Sequence, residues 1–327
     1  MELRLIEAYI PKGLENKIKQ DLSEESYIWL RIHDIDNEDN FVLLRILTTI
    51  KWDEQIIDTI TSLYGVYEGF ELVVFSPKTA EPIHSKKERR KNLGPIPRIS
   101  RQELYVSMFS KATLSFSSIL MVILSAIVAG IGLFKSDPAV IIGAMVMAPF
   151  LGPNMALGLG VTLADTKLIY ESIKTLFVML IVAFVIGVGM GWFLPVVPTI
   201  PQIYSRTSVD VLAIIVAIAS GAAGTLSAIT GEMASLVGVM VAVALLPPFM
   251  VFSMLLGSGY VSSAMGALML FLANVIGVNL ASVMLFNVYG ITPLTWWNKK
   301  KARLLSAIAY SLWFMLLVVL IFIIYNR

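Results

Sequence analysis

The chain has no cysteine and only two histidines. Without cysteine there is no disulfide framework, no thiolate nucleophile and no thiolate metal site. His33 and His84 stand singly, so neither a metal centre nor a histidine-based catalytic set is expected. Charge is scarce as well, and unevenly spread: residues 1–111 hold 16 Lys/Arg and 18 Asp/Glu, whereas residues 112–327 hold 9 and 5. Only 15% of the chain is charged, 57% is hydrophobic and the mean hydropathy is +0.79, against roughly 25% charged in ordinary soluble domains. A stretch as long and as poor in charge as 112–327 would precipitate in water, which excludes a soluble enzyme. Walker, His-Glu-x-x-His and Gly-x-Ser-x-Gly motifs are missing too. ATP-driven transport within the chain and intramembrane hydrolysis are therefore not expected, and no cofactor site is read. What is present is a polytopic membrane protein that is not expected to be an enzyme.

Residues 1–75 are the soluble part. Met1-Glu2-Leu3-Arg4 begins no signal peptide, because no apolar core follows a basic start; the N-terminus is expected in the cytoplasm. Strands are predicted over Leu3–Ile10, Tyr27–His33, Phe41–Thr48 and from Gly69-Phe70 to Phe75. Helices are predicted over Leu14–Leu22, with Leu14, Ile18 and Leu22 on one face, and over Trp52–Leu63, with Trp52, Ile56, Ile60 and Leu63 on one face. The order βαββαβ is that of an α+β ferredoxin-like domain. It carries seven basic against fifteen acidic residues; the acidity reads either as a solvated surface or as a partner-binding face.

Residues 76–111 reverse the sign. The run Lys86-Lys87-Glu88-Arg89-Arg90-Lys91, followed by Gly94-Pro95-Ile96-Pro97, is a basic linker, and Arg101–Lys111 mixes apolar and polar residues as an interfacial helix does. Juxtamembrane placement favours contact of Lys86, Lys87, Arg89, Arg90 and Lys91 with anionic lipid over nucleic acid, which is not expected as a partner.

Residues 112–327 form the transmembrane domain. Seven apolar runs reach spanning length: Thr113–Phe134, Ala139–Ala164, Tyr170–Leu194, Val209–Thr230, Met233–Leu256, Val261–Tyr289 and Leu304–Tyr325. With a cytoplasmic N-terminus, the inside loops carry the basic linker, Lys167 with Lys174, and Lys299-Lys300-Lys301 with Arg303, in keeping with the positive-inside rule. A shift of 95 residues pairs Ser125 with Ser220, Gly143 with Gly238, Pro153 with Pro248, Pro198 with Pro293 and Asp137 with Glu232. Each unit, about 113–198 and about 209–293, has three spans, an odd number, so the second must enter from the opposite side. The expected fold is a 3+3 inverted repeat plus one extra helix at 304–325, about seven spans in all.

The second span of each unit is interrupted by proline, which removes a backbone donor and clashes with the carbonyl four residues back. Broken backbone is tolerated in lipid only against protein or a water-filled cavity, and matched interruptions point to a transporter's binding site; kinking for packing alone is the alternative. Gly143-Ala144-Met145-x-x-Ala148-Pro149-x-x-Gly152-Pro153 and Gly238-Val239-x-x-Ala242-Val243-Ala244-Leu245-x-Pro247-Pro248 resemble the prokaryotic membrane family catalogued as domain of unknown function 389, over roughly Ser107–Tyr289. Asn154 stands where that pattern leads one to expect an apolar residue. The resemblance implies a prokaryotic inner-membrane protein with a cytosolic extension. It implies no activity, substrate or catalytic residue.

Asp137 and Glu232 open the second and fifth spans and read either as ion ligands at the mouths of a pathway or as N-caps. With Gly152, Pro153, Asn154, Pro247, Pro248, Asn274 and Asn279 they make up the candidate pathway. Gly187, Gly191, Gly221 and Gly224 read as close helix contacts. Two functions remain open. One is a secondary transporter or channel-like carrier for a small ion or solute, multi-pass in the cell inner membrane. The other is a membrane-anchored sensor whose cytosolic domain binds a ligand or partner. The smooth last helix suits a lipid-facing belt or a contact in a homo-oligomer.

Overall fold

The computed structural model describes residues 3–14, 17–18, 21–22, 26–34, 41–49, 52–75, 99–209, 211–231, 245–293 and 296–325. The chain divides into two compact units, Met1–Glu103 and Leu104–Arg327.

In the first unit four strands, β1 (Leu3–Pro11), β2 (Trp29–Asp34), β3 (Phe41–Thr49) and β4 (Glu71–Phe75), form one antiparallel sheet in the order β2-β3-β1-β4. Period-two alternation puts Ile6, Ala8 and Ile10 of β1 and Val42, Leu44 and Ile46 of β3 on the buried face, as a half-buried strand requires. Helix α1 (Asp53–Tyr64) buries Ile56, Ile57, Ile60 and Tyr64 in the same core, and the Tyr64 hydroxyl donates to the Leu14 carbonyl at 2.9 Å. Of the helix predicted at Leu14–Leu22, Lys17, Ile18 and Asp21 are helical, with Ile18 and Leu22 buried.

Asp53 opens α1, is 1% exposed and lies 3.6 Å from Arg4 Nε, whose guanidinium also holds Glu103 at 2.7 Å. Burial pushes its carboxyl up to about 6, against the opposing pull of the Glu54 N–H and Arg4. The folded chain thus binds this proton more tightly than the unfolded chain does. The stability it confers is complete below about pH 4 and is lost as pH rises to 6, by about 3 kcal/mol. Amide exchange over 53–64, corrected for intrinsic rates, should show protection falling across that window. In Asp53→Asn the fall should vanish; a wild-type profile as flat as the variant's would refute the assignment.

Helix α2 (Arg101–Ala112) begins in the first unit and continues into the second, which is helical: α3 (Phe116–Phe134), α4 (Pro138–Met147), α5 (Leu151–Leu163), α6 (Thr166–Phe193), α7 (Val211–Thr230), α8 (Leu246–Gly257), α9 (Val261–Val288) and α10 (Trp296–Tyr325), with a one-turn helix at Pro201–Tyr204. Among the described residues five helices are long and apolar enough to cross a membrane, or six if α4 and α5, bent by 48°, are one span. Large apolar side chains such as Leu120, Val185, Ile215 and Phe314 face outward. In water such a surface would aggregate, so the chain is a multi-pass membrane protein. Glu232, Gly238 and the first half of the span predicted at Met233–Leu256 lie outside the described residues, as does the basic run Lys86–Lys91. Helix α10 starts at Trp296 rather than Leu304 and takes in Lys299–Lys301 and Arg303, since lysine and arginine are good helix formers and neither Gly nor Pro intervenes.

The starts of α3 and α7, of α5 and α8, and of α6 and α9 are each 95 residues apart. The same interval separates the left-handed residues Ser136 and Gly231, and Ala164 and Gly259. These are the turn positions before α4 and after α5 and their counterparts, where the chain must reverse tightly in both halves.

Candidate functional site

Helix α4 begins at a working cap. Asp137 Oδ1 accepts the N–H groups of Ala139 (2.9 Å) and Val140 (3.3 Å), with Pro138 at the first helical position, where proline's missing N–H costs nothing. Of the two readings of Asp137, capping is therefore realised. The helix stops at Met147 because Pro149 has no N–H to donate, and Ala148 is extended. Helix α5 restarts at Leu151 with Gly152 and Pro153 in its first turn; α8 likewise carries Pro247 and Pro248, both buried, in its first turn.

At this break Asn154, 2% exposed, turns back to donate Nδ2 to the Phe150 carbonyl at 3.0 Å. Its Oδ1 accepts from Nδ2 of Asn279 on α9 at 3.0 Å, and the same Nδ2 group donates to the Val275 carbonyl at 2.9 Å. Asn279 is 1% exposed, and among the described residues its Oδ1 has no hydrogen-bond partner. One turn along α9, the Ser282 hydroxyl meets Thr225 of α7 at 2.9 Å, and a methyl placed on Gly158 would come 2.8 Å from Ser282 Cβ. A polar seam thus runs between α5, α7 and α9. Asn274 is buried higher on α9.

The other half repeats this seam with the partners exchanged. The position equivalent to Asn154 is Phe249 on α8, and that equivalent to Asn279 is Phe184 on α6; their rings lie 6.5 Å apart. Phe249 also stacks near Phe271 (4.8 Å) and Phe252 (5.9 Å). The positions equivalent to Gly158 and Ser282 are Ser253 and Gly187, which again touch. A contact between residue i of one half and j of the other recurs with the halves swapped, as a two-fold relation between the repeats demands. What differs is chemistry: two amides in one seam, a cluster of aromatic rings in the other.

A cavity of about 410 Å³ lies among α2, α3, α4, α5, α6 and α7, lined by Lys111, Ser118, Met155, Gly152, Gly224 and Ser227 among others. The stem of Lys111 packs on Gly152, whose absent Cβ would fall 2.8 Å from Lys111 Cβ. Near its own N-terminus α6 is capped by Asp165, which accepts from Lys167 and Leu168 N–H through Oδ1 and from the Tyr105 hydroxyl (2.7 Å) through Oδ2. Burial and the Asp165 carboxylate push the Tyr105 phenol up to about 12. Sequence reasoning passed over Asp165, although Asp165-Thr166 ahead of an apolar run is the same start signal as Asp137-Pro138. Gly187 and Gly191 both face α8, and Gly221 faces Val278 of α9, as their spacing suggested; Gly224 borders the cavity.

A family model described as a domain of unknown function, DUF389, matches residues 145–280, a span that contains Asn154, Phe184, Phe249 and Asn279. An uncharacterized protein of Methanocaldococcus jannaschii is 40% identical over 328 residues, 100% of each chain being covered. No solved structure matches the chain.

Proposed function

The chain belongs to the DUF389 family, whose description assigns no activity, and from the geometry of its helical unit we propose that it is a secondary transporter or channel-like carrier for a small ion or solute. The observation that carries this reading is the exchanged pair: Asn154 with Asn279 beside one broken helix, Phe184 with Phe249 beside the start of its counterpart. Two-fold repeats meeting at interrupted helices are the architecture of many carriers, and movement of one repeat against the other exposes the site alternately. In this reading the repeats are inverted, α10 is the extra, seventh span, and α10 meets lipid or a second copy in a homo-oligomer. The same reading assigns Asp137 to one mouth and Glu232, outside the described residues, to the other.

The N-terminal sheet order β2-β3-β1-β4, with β1 and β2 flanking β3, supports a ferredoxin-like domain; in this reading that domain lies on the cytoplasmic side. The basic run at 86–91 holds anionic lipid of the cell inner membrane.

The test is flux into proteoliposomes over monovalent cations, protons, small anions and neutral solutes, with Glu232→Gln and Pro248→Ala run beside the wild type after both are shown to be folded. Saturable wild-type flux that falls by roughly tenfold or more in each variant, about 1.4 kcal/mol of barrier, is the expected outcome. Absence of flux across the panel, with specific ligand binding that is lost when residues 1–75 are removed, would replace the carrier with the sensor.

A further inference from the structure

The amide orientation at Asn279 is fixed by its surroundings. Its Nδ2 has two hydrogens, and they are taken by Asn154 Oδ1 and the Val275 carbonyl. Reversing the amide would set Oδ1 against two other oxygens, so Oδ1 must face away from both. An amide carbonyl buried at 1% exposure with no donor among the described residues is costly. Its missing partner must be a donor or a positive charge.

The surroundings favour charge. Asn154, which grips Asn279, also holds the Phe150 carbonyl in the irregular turn between α4 and α5. The C-terminal end of α4 abuts that turn, and a helix C-terminus carries partial negative charge. Pro153 has no N–H for the Pro149 carbonyl, which therefore lacks its helical donor. The nearby side-chain oxygens are amide and hydroxyl: Asn154 Oδ1, Ser282 Oγ and Thr225 Oγ1. Neutral hard oxygens suit alkali cations. No acidic residue lies in this seam among the described residues, so a divalent ion would bring two charges with nothing to neutralise them. Half-helix C-termini with unwound carbonyls are where carriers hold coupling cations. At the pseudo-equivalent place Phe184 and Phe249 bring no side-chain amide oxygen, so among the described residues the arrangement occurs once.

We propose that the Asn154–Asn279 pair, at the break between α4 and α5, is a binding site for one small monovalent cation per chain, with Asn279 Oδ1 as its buried side-chain ligand. This deepens the carrier reading and rests on it for its role as a coupling ion or cargo, but binding itself is measurable without transport.

Equilibrium binding of radioactive sodium and of rubidium, as a potassium substitute, to the purified full chain tests it. Wild type should bind one of the two saturably at one ion per chain, with affinity falling roughly tenfold or more in Asn279→Leu. Asn279→Asp, nearly isosteric, should bind the ion more tightly and admit calcium as a competitor, because it adds the missing charge. If Asn279→Leu does not fold, Asn279→Asp decides alone, and unchanged affinity there overturns the proposal. A folded Asn279→Leu that binds as the wild type does would overturn it. So would a wild type that binds no alkali cation, which would leave Oδ1 to an enclosed water. Cation binding without flux of any solute would support the site while removing the carrier; flux without cation binding would do the reverse.

Discussion

Leucine at Gly191 should prevent the second unit from assembling. Gly191 of α6 faces the main chain of Met254 on α8 so closely that even a methyl would strike the Met254 carbonyl, and Gly257 of α8 faces the Val188 carbonyl of α6 in the reciprocal sense. Ser258 Oγ donates to the Gly191 carbonyl at 2.7 Å across the same crossing. Overfilled cores cost 1–3 kcal/mol when side chains can move aside. Here the obstacle is backbone on both sides, so the helices must separate and the loss should be about 3 kcal/mol or more. Gly189, two residues away on the same helix, has nothing within 4 Å of its missing Cβ. Gly189→Leu should give monodisperse protein of near wild-type thermal midpoint, while Gly191→Leu aggregates or is degraded. Equal behaviour of the two variants would mean that α6 and α8 are not held at this crossing.

The second large effect is expected at the aromatic seam. Phe249, 7% exposed, packs with Phe184, Phe252 and Phe271, and rings in a narrow passage exclude water as well as ions. In the carrier reading this seam is the closed side. Replacing Phe184 and Phe249 together by asparagine would copy the Asn154–Asn279 pair and wet both sides at once. Proteoliposomes with the double variant should leak small cations on the order of tenfold faster than wild type, and without saturation, because dewetting no longer blocks the path. Either single change should leak less, since one ring remains. Tight vesicles containing folded double variant would show that the aromatic cluster is packing and not a seal.

Much of this arrangement was legible in the sequence, and the reasons are local. Residues 112–327 hold only five acids and nine prolines, so their recurrence at 95 residues stood out, and helix starts follow them because proline and a capping acid act within one turn. The strands of the first unit were legible from alternation, with shifts of a residue or two at their ends. The seam was not. Its partners lie 125 residues apart in different halves. An overlay of one half on the other sets Asn154 against Phe249 and Asn279 against Phe184, two apparent mismatches. Only the folded chain shows that the two mismatches are a single exchanged contact, with both polar residues on one side of the exchange and both aromatic ones on the other. The cap at Asp165 was not legible for a simpler reason: it does not recur, because its counterpart 95 residues on is Tyr260.

The exchange of partners between halves also sets a timetable for synthesis. Chains elongate at about 5–20 residues per second, so Asn279 leaves the ribosome roughly 6–25 seconds after Asn154. For that interval the first half sits at the translocon with a broken helix and an amide that has only its own helix to bind. Its aromatic Phe184 likewise waits for Phe249. Neither half can finish alone, and the nascent first half must be sheltered, by the insertion machinery or by lipid, until the second arrives.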